Sequence, residues 1–232
     1  MGYILLEGGA EFGGHMAKPD AKALELAGGP DAPVRFIPSA AAPDHNDERV
    51  GKIATAWFTQ LGARNVRSLP IIDVHSADDQ QFALELQQAR LIYIPGGFPH
   101  YLGQTLTGSR CWRAVQQAYA AGAVVGGSSA GAMVVCQWYF DPARRMVVDG
   151  LGLVAHACVL PHHNTYGRSW SATILATLPD ITLIGIDEQT GIIGSDGVWE
   201  VYGRATVTLY RKNTTEIYQA GQIFSMPDLV RG

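Results

Sequence analysis

The chain has 232 residues, of which 47% are apolar and 16% charged, with a net charge of −4 at pH 7. This composition supports a sizeable buried core, which excludes a disordered chain, and no Lys/Arg cluster marks a nucleic-acid surface. No apolar run approaches the roughly 18 residues that a spanning helix requires, so no membrane partner is expected.

The first segment, Tyr3–Glu7, lacks a basic leader and reads as a core strand, not a signal peptide. Residues 21–26 form a short predicted helix and 34–38 a strand. Residues 47–61 are helical because Val50, Ile53, Trp57 and Leu61 recur at spacings of three and four. Residues 66–72 are strand-like but weakened by Pro70, 78–89 are helical, and 91–94 form a strand that runs into Pro95-Gly96-Gly97. A helix over 111–121 stops at Gly122, a strand over 123–125 follows, and a helix is predicted over 130–138. Beyond it the texture changes. Residues 148–159 are apolar and Gly-punctuated, and 168–178 read as a helix stopped by Pro179. Strands are predicted over 182–186, 190–193, 198–201, 205–210 and 216–218, as an antiparallel extension. The alternation predicts an α/β fold: a three-layer, doubly wound, mostly parallel sheet with helices on both faces. Nothing marks a boundary, so one domain over 1–232 is expected.

Gly127-Ser128-Ser129-Ala130-Gly131 reads G-x-S-x-G between a predicted strand and a predicted helix. That context makes it a nucleophile elbow, a strained turn that exposes one serine at the carboxyl edge of a sheet. Ser129, at the centre of the pattern, is the expected nucleophile, and the amide of Ala130 would face a developing oxyanion. The bland alternative is a Gly-rich turn that binds nothing, or a phosphate on its amides. Parallel sheets hold ligands at the carboxyl ends of their strands, where both Gly96-Gly97 and Ser129 fall.

A serine needs a base. Of seven histidines, His162 and His163 follow the apolar run Ala157-Cys158-Val159, so they emerge at a strand end. His163 is preferred. Adjacent residues on an extended chain face opposite ways, so the pair is not expected to bind a metal. Asp141, Asp149, Asp187 and Glu188 are candidates for the acid that orients the base, the last two closing the apolar run 184–186. An acid after the histidine disfavours an α/β-hydrolase, whose acid precedes it. Cys111, Cys136 and Cys158 are odd in number and form no C-x-x-C, as in a reduced, cytoplasmic chain.

Together these segments resemble the S51 serine peptidases, the family of aspartyl dipeptidase and cyanophycinase, with a class I glutamine amidotransferase-like fold. Glu7-Gly8-Gly9-Ala10-Glu11 is similar to the glycine turn of cyanophycinases, and Pro95-Gly96-Gly97 looks like the family's Gly-Gly loop. Gly127 to Ala132 matches the G-x-S-A-G-A elbow, and Gly185 to Thr190 is similar to the G-I-D-E-x-T segment. The resemblance implies Ser129 as nucleophile, His163 as base and Glu188 as acid, with Asp187 in reserve. It implies oxyanion amides at Gly97 and Ala130, and substrate contacts at Gly96, Asn164 and Arg168, the last able to clamp a carboxylate.

Two departures stand out. Phe98-Pro99-His100-Tyr101 replaces a polar continuation of the Gly-Gly loop, and only Arg168 stands where cyanophycinases carry several arginines. A small peptide, such as a dipeptide with an acidic residue, is therefore expected as substrate, and not cyanophycin. No cofactor and no nucleic-acid partner is expected, and assembly into a homo-oligomer is left open. The alternatives are a non-catalytic binding member of the same fold and a carboxylesterase. A glutamine amidotransferase is disfavoured because its elbow carries a cysteine, and Cys136 reads as a core residue.

Overall fold

Apolar runs too short for helices set up the central sheet. In the computed structural model, which describes residues 1–212 and 214–226, fourteen strands form. They are β1 (Tyr3–Glu7), β2 (Pro33–Phe36), β3 (Asn65–Ser68), β4 (Leu91–Ile94), β5 (Val124–Ser128), β6 (Trp138–Asp141) and β7 (Met146–Asp149). After them come β8 (Ala157–Leu160), β9 (Thr182–Ile186), β10 (Thr190–Ser195), β11 (Val198–Gly203), β12 (Thr206–Arg211), β13 (Thr214–Gln219) and β14 (Ile223–Ser225). The helices are α1 (Ala17–Leu26), α2 (Asp47–Gln60), α3 (Gln80–Gln87), α4 (Pro99–Leu106), α5 (Arg110–Ala120), α6 (Ala130–Val134) and α7 (Ser171–Thr177).

The main sheet runs β14-β11-β10-β1-β5-β4-β2-β3, and its β1, β5, β4, β2 and β3 are mutually parallel. Every residue of β4 and β5 is buried, as expected for strands covered on both faces. Ile4 and Leu6 of β1 pack on one side with residues of α3 and α5, whereas Leu5 packs on the other with Ala23, Leu24, Ala54 and Phe58 of α1 and α2. The period-two alternation of a strand thus separates two cores. The fold is α/β, with a large, mostly parallel sheet between helices.

The C-terminal extension divides between two sheets. Strands β10, β11 and β14 continue the main sheet in antiparallel fashion, while β13-β12-β9-β8 form a second sheet in which β8 and β9 are parallel. The division falls at Asp187–Gln189, where Gln189 adopts φ 58° and turns the chain from one sheet to the other. This corner brings the ends of β1, β5, β8 and β9 together.

Three expectations need correction. The helix predicted over 130–138 ends at Val134, and β6 begins at Trp138. The β-branched and aromatic residues there favour a strand once a neighbour is available. Helix α2 buries Gly51, Ala54 and Phe58, while Ile53 is exposed and Val50, Trp57 and Leu61 are half-buried. Small residues let the helix approach the sheet: a Cβ on Gly51 would lie 2.4 Å from Ser68 Oγ. Helix α4 was not anticipated; Pro99, which opens it, fits the first helical turn, where no N–H acceptor exists. The expected domain ends at 232, and residues 227–232 lie outside the described residues. Among the described residues no helix is long and apolar enough to cross a membrane.

Candidate active site

Ser129 sits between β5 and α6 with φ 48° and ψ −113°, a conformation that L-residues rarely adopt. Such strain persists where the surroundings over-determine it. Here the Ser129 N–H donates to Glu7 O at 3.0 Å. The turn is tight enough to demand glycine: a Cβ on Gly131 would lie 1.9 Å from Ile94 O. Ser128 is buried, and its hydroxyl donates to Glu11 Oε2 at 3.0 Å.

The imidazole against Ser129 belongs to His162. Its Nε2 lies 2.9 Å from Ser129 Oγ, and its Nδ1 lies 2.9 Å from Glu188 Oε1. A carboxylate beside Nδ1 keeps the proton there, which leaves the Nε2 lone pair to accept from the serine hydroxyl. Tyr166 stacks on the ring at 4.9 Å and 24°. Gly9 makes room for it, since a Cβ there would lie 2.3 Å from His162 Cε1. Glu188, the expected acid, is in the row.

His163, the expected base, is not. It faces the other way, with Nδ1 3.1 Å from Asp187 Oδ1 and Nε2 2.8 Å from Tyr210 Oη. Asp187 Oδ2 accepts from the Thr206 N–H at 3.0 Å and the Thr206 hydroxyl at 2.7 Å. Two histidine–carboxylate pairs therefore stand back to back, His162–Glu188 partly exposed and His163–Asp187 buried. Which histidine meets the serine depends on the left-handed conformation of His162, φ 49°, which no neighbouring residue signals.

The other expected residues are distributed as follows. Gly97 has φ 142°, and both flanking amides are tied down: Gly96 N–H to Glu11 Oε1 at 3.1 Å and Phe98 N–H to Ala40 O at 2.8 Å. Among the described residues, neither the Gly97 N–H nor the Ala130 N–H donates to a protein acceptor. Gly96, expected at the substrate, has its amide committed to Glu11. Asn164, also expected there, accepts the Glu188 N–H on Oδ1 at 3.0 Å and so positions the acid. Arg168 is exposed in a short turn, Gly167–Trp170, beyond Tyr166. Asp141 is buried near Arg144 and His100, at 3.6 and 3.9 Å, and Asp149 pairs with Trp138 in the β6–β7 hairpin, so neither joins His162. Cys136 is wholly buried, and burial pushes its thiol well above the ordinary range.

A buried acid pair beneath the site went unread in the sequence, because acids are ordinarily taken as surface residues. Its signal was Glu7 at the end of an apolar strand. Glu7 and Asp20 are fully buried; the Tyr93 hydroxyl donates to Glu7 Oε2, and Trp57 Nε1 donates to Asp20 Oδ2 at 2.7 Å. Among the described residues Glu7 Oε1 and Asp20 Oδ1 have no hydrogen-bond partner, which a proton held between the two carboxyls would satisfy. Burial raises both acids, Glu7 well above the carboxylate range and Asp20 to about 7. An acid raised on folding stabilises fully below its unfolded pKa, and that contribution is lost as pH rises through its folded pKa. The pair should therefore cost stability between pH 3.8 and about 7. Asp20→Asn keeps an acceptor for Trp57 and offers Glu7 a donor. We expect its melting temperature to exceed wild type by about 5 °C at pH 8, with the difference vanishing near pH 4.5, in thermal melts across that range. A constant difference at all pH values would exclude a shared proton.

The model for peptidase family S51 matches residues 4–201. The cyanophycinase of Geminocystis herdmanii is 28% identical over 218 residues, covering 89% of this chain and 79% of that protein. The cyanophycinase of Synechococcus elongatus is 27% identical over 220 residues, covering 90% and 67%. Among solved structures, a peptidase from an acI-B1 actinobacterium aligns with a TM-score of 0.87 at 29% identity over 97% of each chain. A putative peptidase E from Listeria monocytogenes shares the fold, with a TM-score of 0.61 at 18% identity over 95% of this chain and 100% of that one. The family match spans the elbow, the histidine segment and the acid, and the chain belongs to peptidase family S51 as a serine-type peptidase.

Proposed function

We propose that this peptidase cleaves an amide bond in a small peptide through Ser129, His162 and Glu188. The observation that carries the reading is the unbroken row from Ser129 Oγ to His162 to Glu188, with both contacts at 2.9 Å. Ser129 Oγ attacks the carbonyl carbon while His162 Nε2 takes its proton. Glu188 stabilises the imidazolium and holds the ring's orientation. The carbonyl oxygen, now an oxyanion, lies toward the Gly97 and Ala130 amides; one such donor is typically worth about 3 kcal/mol in the transition state. The imidazolium then protonates the leaving amine, and water, deprotonated by His162, releases the acyl group from Ser129.

A small substrate suits the space beside the oxyanion loop. A cleft of about 280 Å³ runs from Gly96 and Gly97 to Asn46 and Arg49, room for a side chain. An acidic residue in the substrate is the specificity we favour. Arg168, the cation near Tyr166, supports that choice, as does Arg49 in the cleft. The three cysteines, all buried and free, suit a cytoplasmic setting.

A dipeptide library assayed with wild type and with Ser129→Ala protein tests the activity. Turnover of acidic dipeptides by wild type alone is expected; no turnover of any dipeptide would overturn the exopeptidase substrate class. Within that screen, Arg168→Ala should raise KM about tenfold for acidic dipeptides and leave neutral ones unchanged, as loss of a charge-assisted contact implies. Equal effects on both would remove Arg168 from specificity.

A further inference from the structure

The turn after β1 touches every segment of the site. The carbonyl of Glu7 holds the Ser129 N–H at 3.0 Å, that of Gly8 holds the His162 N–H at 2.7 Å, and that of Gly9 holds the Gln189 N–H at 3.2 Å, next to Glu188. Three successive carbonyls thus fix the segments of nucleophile, base and acid in order. The fourth segment, the Gly96-Gly97 loop, is reached by a side chain. Glu11 Oε1 accepts the Gly96 N–H at 3.1 Å, and Glu11 Oε2 accepts the Ser128 hydroxyl at 3.0 Å.

We propose that Glu11 is a positioning residue whose carboxylate clamps the Gly96-Gly97 loop to the elbow and so sets the distance between the two oxyanion amides. The inference rests on the hydrolase reading above. Its geometry is specific. Gly97 carries one amide and Ala130 the other, on two chain segments with no covalent tie nearer than the intervening helices. Gly96 N–H bound to Glu11 and Phe98 N–H bound to Ala40 O leave the Gly97 N–H between two fixed peptide planes. Ser128 bound to the same carboxylate fixes the residue before the nucleophile on the opposite wall.

The backbone around Glu11 shows that this placement is imposed. Ala10 and Phe12, on either side, adopt φ 59° and φ 60°. Neither residue type favours that region, and such strain persists only where the surroundings over-determine it. Phe12 is anchored among aromatic rings, 5.4 Å from Tyr93 and 6.3 Å from Phe36. The chain is bent on both sides of Glu11 to deliver its carboxylate between loop and elbow.

The test separates geometry from charge. Glutamine at position 11 can still accept from Gly96 N–H, and its amide can donate to Ser128 Oγ, because a hydroxyl reverses its role by rotation. Alanine loses both arms. The probe is a fluorophosphonate, whose attack by Ser129 passes through a charged oxygen and yields a binding constant KI and a chemical rate kinact. For Glu11→Ala we expect kinact to fall about 100-fold, the usual loss for one misplaced oxyanion donor, with KI unchanged. Glu11→Gln should stay within about threefold of wild type in both, and Ser128→Ala, which loses one arm, should fall between, as partial loss of preorganisation implies. Ser128→Ala also serves if Glu11→Ala fails to fold. Wild-type kinact in folded Glu11→Ala, or in Ser128→Ala where alanine at 11 does not fold, would overturn the clamp. So would a Glu11→Gln protein as slow as Glu11→Ala, which would assign the effect to charge. A wild-type protein that is never labelled would instead overturn the hydrolase reading itself, and the clamp with it.

Discussion

Ser129→Ala protein is expected to lose at least about 10⁴-fold in turnover while melting within a few degrees of wild type. The chemical loss is large because, among the described residues, Ser129 Oγ is the hydroxyl or thiol at His162 Nε2. The Ser128 hydroxyl is buried and donates to Glu11, and the three cysteines are buried. The fold should persist because, among the described residues, the Ser129 side chain makes one hydrogen bond, to His162. Its strained backbone is held by the Glu7 carbonyl and by the close approach of Gly131 to Ile94, neither of which involves the hydroxyl. Turnover of the best dipeptide and a thermal melt measure the two effects. Retained turnover would remove Ser129 from the chemistry.

The neighbouring histidines should separate in opposite directions. His162→Ala removes the base and should also cost about 10⁴-fold in kcat. Its side chain is 15% exposed and its partners, Ser129 Oγ and a partly exposed Glu188, can be solvated when it is gone, so stability should change less than in His163→Ala. His163→Ala does the reverse. It leaves buried Asp187 without its imidazole and the Tyr210 hydroxyl without a partner, between two strands of the second sheet. Breaking a buried pair costs about 3 kcal/mol, or roughly 10 °C in a chain of this size. Assayed well below its melting point, His163→Ala should keep kcat within about tenfold, since it touches no reacting atom. Equal stability losses in the two variants would contradict the buried role of His163.

The parallel frame was legible because its signals are local. Tyr3–Glu7 and Leu91–Ile94 are apolar runs with punctuation at their ends, and G-x-S-x-G states its own turn. The glycines at 9, 97 and 131 were visible as letters, but what each one faces is non-local: the His162 ring, the Ala40 carbonyl and the Ile94 carbonyl. The two sheets at the C-terminal end could not be told apart, because β9 and β10 are both apolar and differ only in which partner they meet across a three-residue corner. The histidine choice failed for a related reason. His162 and His163 do face different ways, but through the left-handed backbone of His162 in a turn beyond β8 and not through strand alternation. Glu7, Asp20 and Glu11 were unread because a charge that is paired or protonated in the interior looks like any other charge in a sequence.

The most direct test of the His162 assignment is the rate at which a fluorophosphonate labels Ser129 in folded His162→Ala and His163→Ala proteins. Labelling should fall to background in the first and continue near the wild-type rate in the second. Labelling that persists without His162, or that disappears only without His163, would contradict the Ser129–His162–Glu188 row as the catalytic unit.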